Sequence, residues 1–189
     1  MPDDDHDAGG PPRSSAKPGP RRPVFWQYRR VATRSAGILL YRRRDDVEVL
    51  IGHMGGPWWT RRDHRAWSIP KGEYTAGEEP LAAARREFQE ELGVPVPAGP
   101  VTPLGEIRQS GGKHVTVWAI DGEIDEKAVR FGEFEMEWPP GSGTTRRFPE
   151  LDRIAWTDLP TAAERLVAAQ AAFLDRLRAA LAAAGDRSQ

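Results

Sequence analysis

The stretch Gly72-Glu73-Tyr74-Thr75-Ala76-Gly77-Glu78-Glu79-Pro80-Leu81-Ala82-Ala83-Ala84-Arg85-Arg86-Glu87-Phe88-Gln89-Glu90-Glu91-Leu92-Gly93-Val94 decides how this chain is read. Glu79 to Leu92 is expected to be a helix. Pro80 suits a first-turn position, Leu81 to Glu91 are good helix formers, and Gly93 suits the C-terminal cap. The charges on that helix are unusual. Glu87, Glu90 and Glu91 fall within an arc of about 100°. Like charges at these spacings repel by a few tenths of a kcal/mol per pair. Glu90 and Glu91 also lie in the last turn, where the helix dipole disfavours anions by ~0.3–1 kcal/mol each. These residues alone leave two readings. One is a solvated acidic face partnered by Arg85 and Arg86. The other is an oxygen-rich site for a hard divalent cation, Mg²⁺ or Mn²⁺.

Upstream of the helix, Ser35–Tyr41 and Val47–His53 read as strands joined by the polar turn Arg42–Asp46, a hairpin. A Gly/Trp/Arg loop, Met54–Ala66, follows. Trp67–Pro70 reads as a short strand stopped by Pro70. Downstream, Val101–Gln109 and Val115–Ile124 read as strands separated by Ser110-Gly111-Gly112. Residues 125–149 are rich in Gly, Pro and Glu and read as an insertion. Leu151–Trp156 is a last strand, and Thr161–Ala184 a second long helix with Leu166, Phe173, Leu174, Leu177 and Leu181 on one stripe. Strands mixed with two helices predict an α/β (α+β) domain, a mixed sheet with helices packed on both faces.

Composition narrows the function classes. The 189 residues suffice for one domain, here residues 31–185. Residues 1–30 form a tail whose first 23 residues have almost no large apolar group, acidic at Asp3, Asp4, Asp5 and Asp7, then basic at Arg13, Lys17, Arg21 and Arg22. Such a segment is expected to be disordered. A net charge of -1 argues against a nucleic-acid polymer as partner and against a polybasic membrane binder. The absence of cysteine excludes a disulfide scaffold, a Cys-based zinc site and a Cys nucleophile. No apolar run spans a bilayer, and no apolar signal core follows a basic start, so a soluble, cytoplasmic protein is expected.

The segment from Gly72 to Val94 matches the Nudix box, G-x5-E-x7-R-E-U-x-E-E-x-G-U with U apolar, at nine specified residues over 23 positions. On these residues the chain resembles the MutT-like Nudix hydrolases. The resemblance implies a Nudix-type α/β/α sandwich and a loop–helix–loop site that hydrolyses a nucleoside diphosphate linked to a further group, using Mg²⁺ or Mn²⁺. It implies Glu87, Glu90 and Glu91 as metal ligands or organisers of metal-bound water, with the Gly72 carbonyl completing the shell. It implies Arg86 and Glu78 as the ion pair holding the loop on the helix. Phe88, Leu92 and Val94 read as core positions. Many members also use a glutamate outside the box. Glu150 is favoured here as a further metal ligand or the base, over Glu133, Glu135 and Glu137.

The implied partner is a nucleotide. The family's substrate markers for NADH, ADP-ribose and diadenosine polyphosphates are absent around Gln109–Gly112. Two features lean toward long polyphosphates. Trp67-Ser68-Ile69-Pro70-Lys71-Gly72 is similar to the Pro-Lys-Gly approach of dinucleoside-polyphosphate members. Lys113-His114 resembles the basic pair that faces phosphates in dinucleoside-polyphosphate and diphosphoinositol members. Trp58 and Trp59 offer faces for base stacking beside Arg61 and Arg62, which bind phosphate. His53 and His64 have no metal partner at useful spacing and read as structural. The expected activity is cleavage of a dinucleoside polyphosphate such as diadenosine tetraphosphate. A nucleoside triphosphate pyrophosphohydrolase is the close rival, and a non-catalytic nucleotide sensor or interaction module is the alternative of another class. Because residues 1–23 have nothing to bury, their removal is expected to leave turnover and Tm nearly unchanged. A large loss of either would mean that the tail docks on the domain.

Overall fold

The computed structural model describes residues 33–186, so the tail lies outside the described residues. The centre is β1 (Arg34–Arg43), whose residues Ser35 to Tyr41 are all buried. A strand covered on both faces reads as such a continuous run, and the alternation of side chains sorts it into two cores. Ala36, Ile38 and Leu40 pack with Ala83, Ala84, Phe88 and Leu92 of α1 (Pro80–Leu92). Leu39 and Tyr41 join the other core, with Phe173, Leu174 and Leu177 of α3 (Ala171–Asp186). The helices therefore flank the sheet as the α/β reading requires. No helix among the described residues is long and apolar enough to cross a membrane.

On one side β1 pairs in parallel with β6 (His114–Asp121), and β6 pairs with β5 (Val101–Arg108). On the other side the sheet opens. β2 (Val47–Met54) meets β1 only at Tyr41–Arg43, the hairpin end. Farther along, β3 (Trp67–Ser68) pairs with β2 while β4 (Lys71–Glu73) pairs with β1 at Ser35–Gly37. The other edge of β2 is taken by β9 (Leu151–Asp158). The chain from Trp67 to Glu73 is thus a wedge between two splaying strands. The single short strand expected at Trp67–Pro70 is in fact two, because Ile69 and Pro70 cross from one partner strand to the other; the Pro70 carbonyl accepts from Ile38 N at 3.1 Å.

Two further expectations are corrected. Residues 125–149 contain a hairpin, β7 (Glu133–Glu137) with β8 (Thr145–Pro149), paired Phe134 to Phe148. Its strand signal is the alternation of exposed Glu133, Glu135 and Glu137 with half-buried Phe134 and Met136. The helix expected over 161–184 is broken: α2 spans Leu159–Arg165, a single 3-10 turn covers Ala168–Gln170, and α3 follows. The break serves the wedge. Leu166 turns extended, and the Val167 N–H donates to the Trp67 carbonyl at 2.9 Å. The fully buried Gln170 accepts from Ile69 N at 2.8 Å and donates to Ser68 Oγ at 3.2 Å. A side-chain amide here replaces a missing strand neighbour, since a buried N–H without a partner is costly. Gln170→Leu keeps the size but strands the Ile69 N–H, and is expected to lower stability by about 1–3 kcal/mol. A denaturant midpoint equal to that of the unaltered protein would refute this.

Candidate active site

The site is built on the C-terminal half of α1. Glu79 caps the helix from an extended conformation, its carboxylate accepting from Ala82 N at 2.7 Å. Gly93 closes it with φ 70°, its N–H donating to Gln89 O at 2.8 Å. The last turn contains no basic residue, so the repulsion among the glutamates is relieved from within the helix. Arg86 Nη1 donates to Glu87 Oε1 and to Glu90 Oε2, each at 2.7 Å. The same guanidinium grips both oxygens of Glu78, Nε to Oε1 at 2.9 Å and Nη2 to Oε2 at 3.2 Å. This two-pronged bond fastens the Glu73–Glu78 loop to the helix. Arg86 holds the Glu78 carboxyl below the usual carboxylate range.

Glu91 points inward instead and is nearly buried. Its Oε2 accepts from Lys71 N at 3.1 Å, which joins the helix end to the wedge. Burial raises its carboxyl to about 8, with Glu150 and Glu87 adding to the rise and Lys71 opposing it. Glu150 is raised as well, by partial burial and by the negative charges of Glu87 and Glu90. Burial lowers the Lys71 ammonium; Lys113 lowers it further, while Glu91, Glu87 and Glu150 oppose the fall. Glu87, Glu90, Glu91, Glu150, Lys71 and Lys113 are therefore one electrostatic group. A ladder of backbone bonds positions Glu150: Gly132 N donates to Glu91 O at 3.1 Å, Glu150 N to Gly132 O at 2.8 Å, and Gly55 N to Glu150 O at 2.8 Å. Beside these groups lies a cavity of about 240 Å³ lined by Met54, Gly55, Trp59, Ser68, Lys71, Glu91, Phe134, Glu150 and Leu151.

The remaining candidates divide. Lys113 pairs with Glu73 at 3.2 Å. His114 pairs with Glu106 of β5 at 2.7 Å and does not line the cavity. Trp59 lines the cavity with the Arg62 guanidinium 5.6 Å from its ring centre. Trp58 does not; it is 55% exposed and stands edge-on to Trp138 at 4.8 Å. Arg61 and His64 are exposed. His53 is wholly buried, bonded to Asp152 at 2.7 Å and to Arg62 O at 2.8 Å. Glu133, Glu135 and Glu137 lie on the exposed face of the hairpin. Phe134 was not singled out from the sequence. Its only signal was the period-two alternation of the insertion.

The donor set suits a hard divalent cation: carboxylate oxygens from Glu87, Glu90, Glu91 and Glu150 and the Gly72 carbonyl. A side chain at Gly72 would collide with the Glu87 carboxylate, so glycine is required for this carboxylate to lie against the backbone. Among the described residues no three such groups are drawn to coordination spacing. Arg86 bonds Glu87 and Glu90, yet burial and the charges of Glu87 and Glu90 still raise Glu150, and burial, Glu150 and Glu87 raise Glu91. A cation would relieve that repulsion.

Residues 31–177 match the family model of the NUDIX domain. Over 108 residues the chain is 33% identical to an octanoyltransferase of Myxococcus xanthus, covering 56% of this chain and 27% of that protein, so it spans about a quarter of the curated relative's length. Two solved structures share the fold. One is an Ap4A hydrolase binary complex of C. elegans, with TM-score 0.56, 22% identity and coverage of 79% of this chain and 98% of that one. The other is the NUDIX domain of Shewanella oneidensis NrtR complexed with ADP ribose, with TM-score 0.55, 14% identity and coverage of 79% and 88%.

In metal-free protein the raised Glu91 carboxyl sets a pH dependence. From about 4.5 upward the unfolded chain loses this proton while the folded state retains it to about 8. Stability therefore falls as pH rises through that window. Tm measured in EDTA is expected to fall across it, and Glu91→Gln to flatten the fall and raise Tm at its upper end. A Glu91→Gln protein that melts lower at pH 8 in EDTA would mean that the carboxylate is structural.

Proposed function

The chain belongs to the NUDIX domain family, and from that premise we propose that it is a metal-dependent pyrophosphohydrolase acting on a dinucleoside polyphosphate, with diadenosine tetraphosphate as the reference substrate. The observation that carries this reading is the single electrostatic group formed by four glutamates and two lysines beside an aromatic-walled cavity. Every glutamate of the box is present, as turnover requires and a sensor does not.

The bridge to be broken is flanked by phosphates whose charge repels an incoming water. A divalent metal, when bound, neutralises that charge and acidifies the attacking water. Glu87, Glu90, Glu91 and Glu150 and the Gly72 carbonyl would hold it. Glu90 or Glu150 takes the proton as the water oxygen bonds to phosphorus and the bridging P–O bond breaks. Arg86 keeps the carboxylates in place by pairing with Glu78 and Glu87. Lys71 and Lys113 neutralise phosphates beyond the scissile bridge, which favours a chain longer than a diphosphate.

A nucleoside triphosphate uses the same groups and is the close rival. The deciding measurement is kcat/KM for diadenosine tetraphosphate against ATP, GTP and oxidised dGTP, with products identified. Cleavage to ATP and AMP is expected, lost in excess EDTA and restored by Mg²⁺ or Mn²⁺. A triphosphate preferred tenfold, about 1.4 kcal/mol of transition-state discrimination, would replace the substrate assignment. Full turnover in chelator would remove the reaction class. Lys113→Ala is expected to impair the tetraphosphate more than a diphosphate substrate.

A further inference from the structure

We propose that Phe134, on the inserted hairpin, is a specificity-determining residue: with Trp59 it forms the aromatic wall that takes one nucleobase and so separates base-bearing polyphosphates from base-free ones. This rests on the reading of the protein as a nucleotide pyrophosphohydrolase.

The hairpin has two chemically distinct faces. Glu133, Glu135 and Glu137 occupy one, with Arg147 paired to Glu135 at 2.9 Å. Phe134, Trp138 and Phe148 form a linked aromatic set, with ring centres of Phe134 and Phe148 6.2 Å apart and of Trp138 and Phe148 6.5 Å apart. Trp58 meets its outer end edge-on at Trp138. The inner end, Phe134, lines the cavity that holds Lys71, Glu91 and Glu150. Two aromatic side chains thus stand in the same small space as the charged group, one from each side of the chain: Trp59 from the loop after β2 and Phe134 from the insertion. Gly56, in the loop after β2, lies beside Phe134 and has φ 84°, a left-handed conformation that favours glycine.

Phe134 is only half-buried, so part of its ring surface is not used in packing. The cavity, about 240 Å³, is smaller than the ~300 Å³ lower end for drug-sized ligands. It therefore suits one planar ring system, with phosphates leading toward Lys71 and the carboxylates. Stacking tolerates base identity, because every base has a π-face. The wall accordingly distinguishes the presence of a base more strongly than its kind. Glu150 directly follows Pro149, the last residue of the hairpin, so the hairpin that carries Phe134 leads straight into a carboxylate of the site.

The test is calorimetric binding of ADP and of inorganic tripolyphosphate in Mg²⁺, for the unaltered protein, Phe134→Leu and Phe134→Tyr. Leucine keeps apolar bulk and fold but removes the π-face; tyrosine restores the ring. Phe134→Leu is expected to weaken ADP binding about tenfold, equivalent to ~1.4 kcal/mol, while the Kd for tripolyphosphate stays within twofold. Phe134→Tyr should bind both ligands as the unaltered protein does. Equal weakening of both ligands by Phe134→Leu, or no weakening of ADP, would overturn the assignment. An unaltered protein that binds tripolyphosphate but not ADP would overturn the nucleotide reading itself.

Discussion

The Arg86 fork is the interaction on which the rest of this site depends. Three glutamates crowd the end of α1 where the helix dipole and their mutual repulsion both disfavour them. One guanidinium bonds two of them and, with its remaining donors, holds Glu78 from the loop. A lysine could not do this, because its point charge lacks the planar fork that meets two carboxylates and a third at once. The loop and the helix are consequently one rigid unit. Glu91 alone escapes Arg86, and its burial against the Lys71 backbone leaves the charge problem that a divalent cation would resolve.

A second constraint is the splaying of β1 from β2. Two adjacent antiparallel strands that paired along their full length would leave no place for Lys71 or Gly72. Because they separate, the Trp67–Glu73 wedge enters between them and brings a lysine, a glycine carbonyl and a backbone N–H to the helix end. The separation exposes polar backbone, and the fold answers it with Gln170, whose amide stands in for a strand. That is why the C-terminal helical stretch is broken at a place where the local sequence, Ala-rich and apolar on one stripe, favours continuation. Tertiary hydrogen bonding outweighs propensity here.

The inserted hairpin connects these two features to the outside. Its descending strand passes through Pro149 into Glu150, and a carbonyl at Pro149 lies so close to Gly55 that no side chain fits there. Glycines at 55 and 132 allow the hairpin, the loop after β2 and the end of α1 to approach as bare backbone. The position of Glu150 is therefore set by three elements distant in sequence.

Local chemistry was legible in the sequence. The helix from Pro80 to Gly93, its proline and glycine boundaries and the hairpin of β1 and β2 follow from propensity, capping and periodicity, and the core positions Phe88 and Leu92 were implied by the box. The spacing of Glu87, Glu90 and Glu91 follows from the helical repeat, and the pairing of Arg86 with Glu78 was implied by the box. What only the tertiary structure decided are relations across long separations. Lys113 and His114 are neighbours, yet one pairs with Glu73 and the other with Glu106. Trp58 and Trp59 are neighbours, yet only Trp59 reaches the cavity. Phe134, in a segment read as an insertion, reaches it too. Local energetics fix an element's period and its ends. They do not fix which strand edge it meets or which face it turns to a partner, because those depend on packing and hydrogen bonds made by residues as far apart as Ile69 and Gln170.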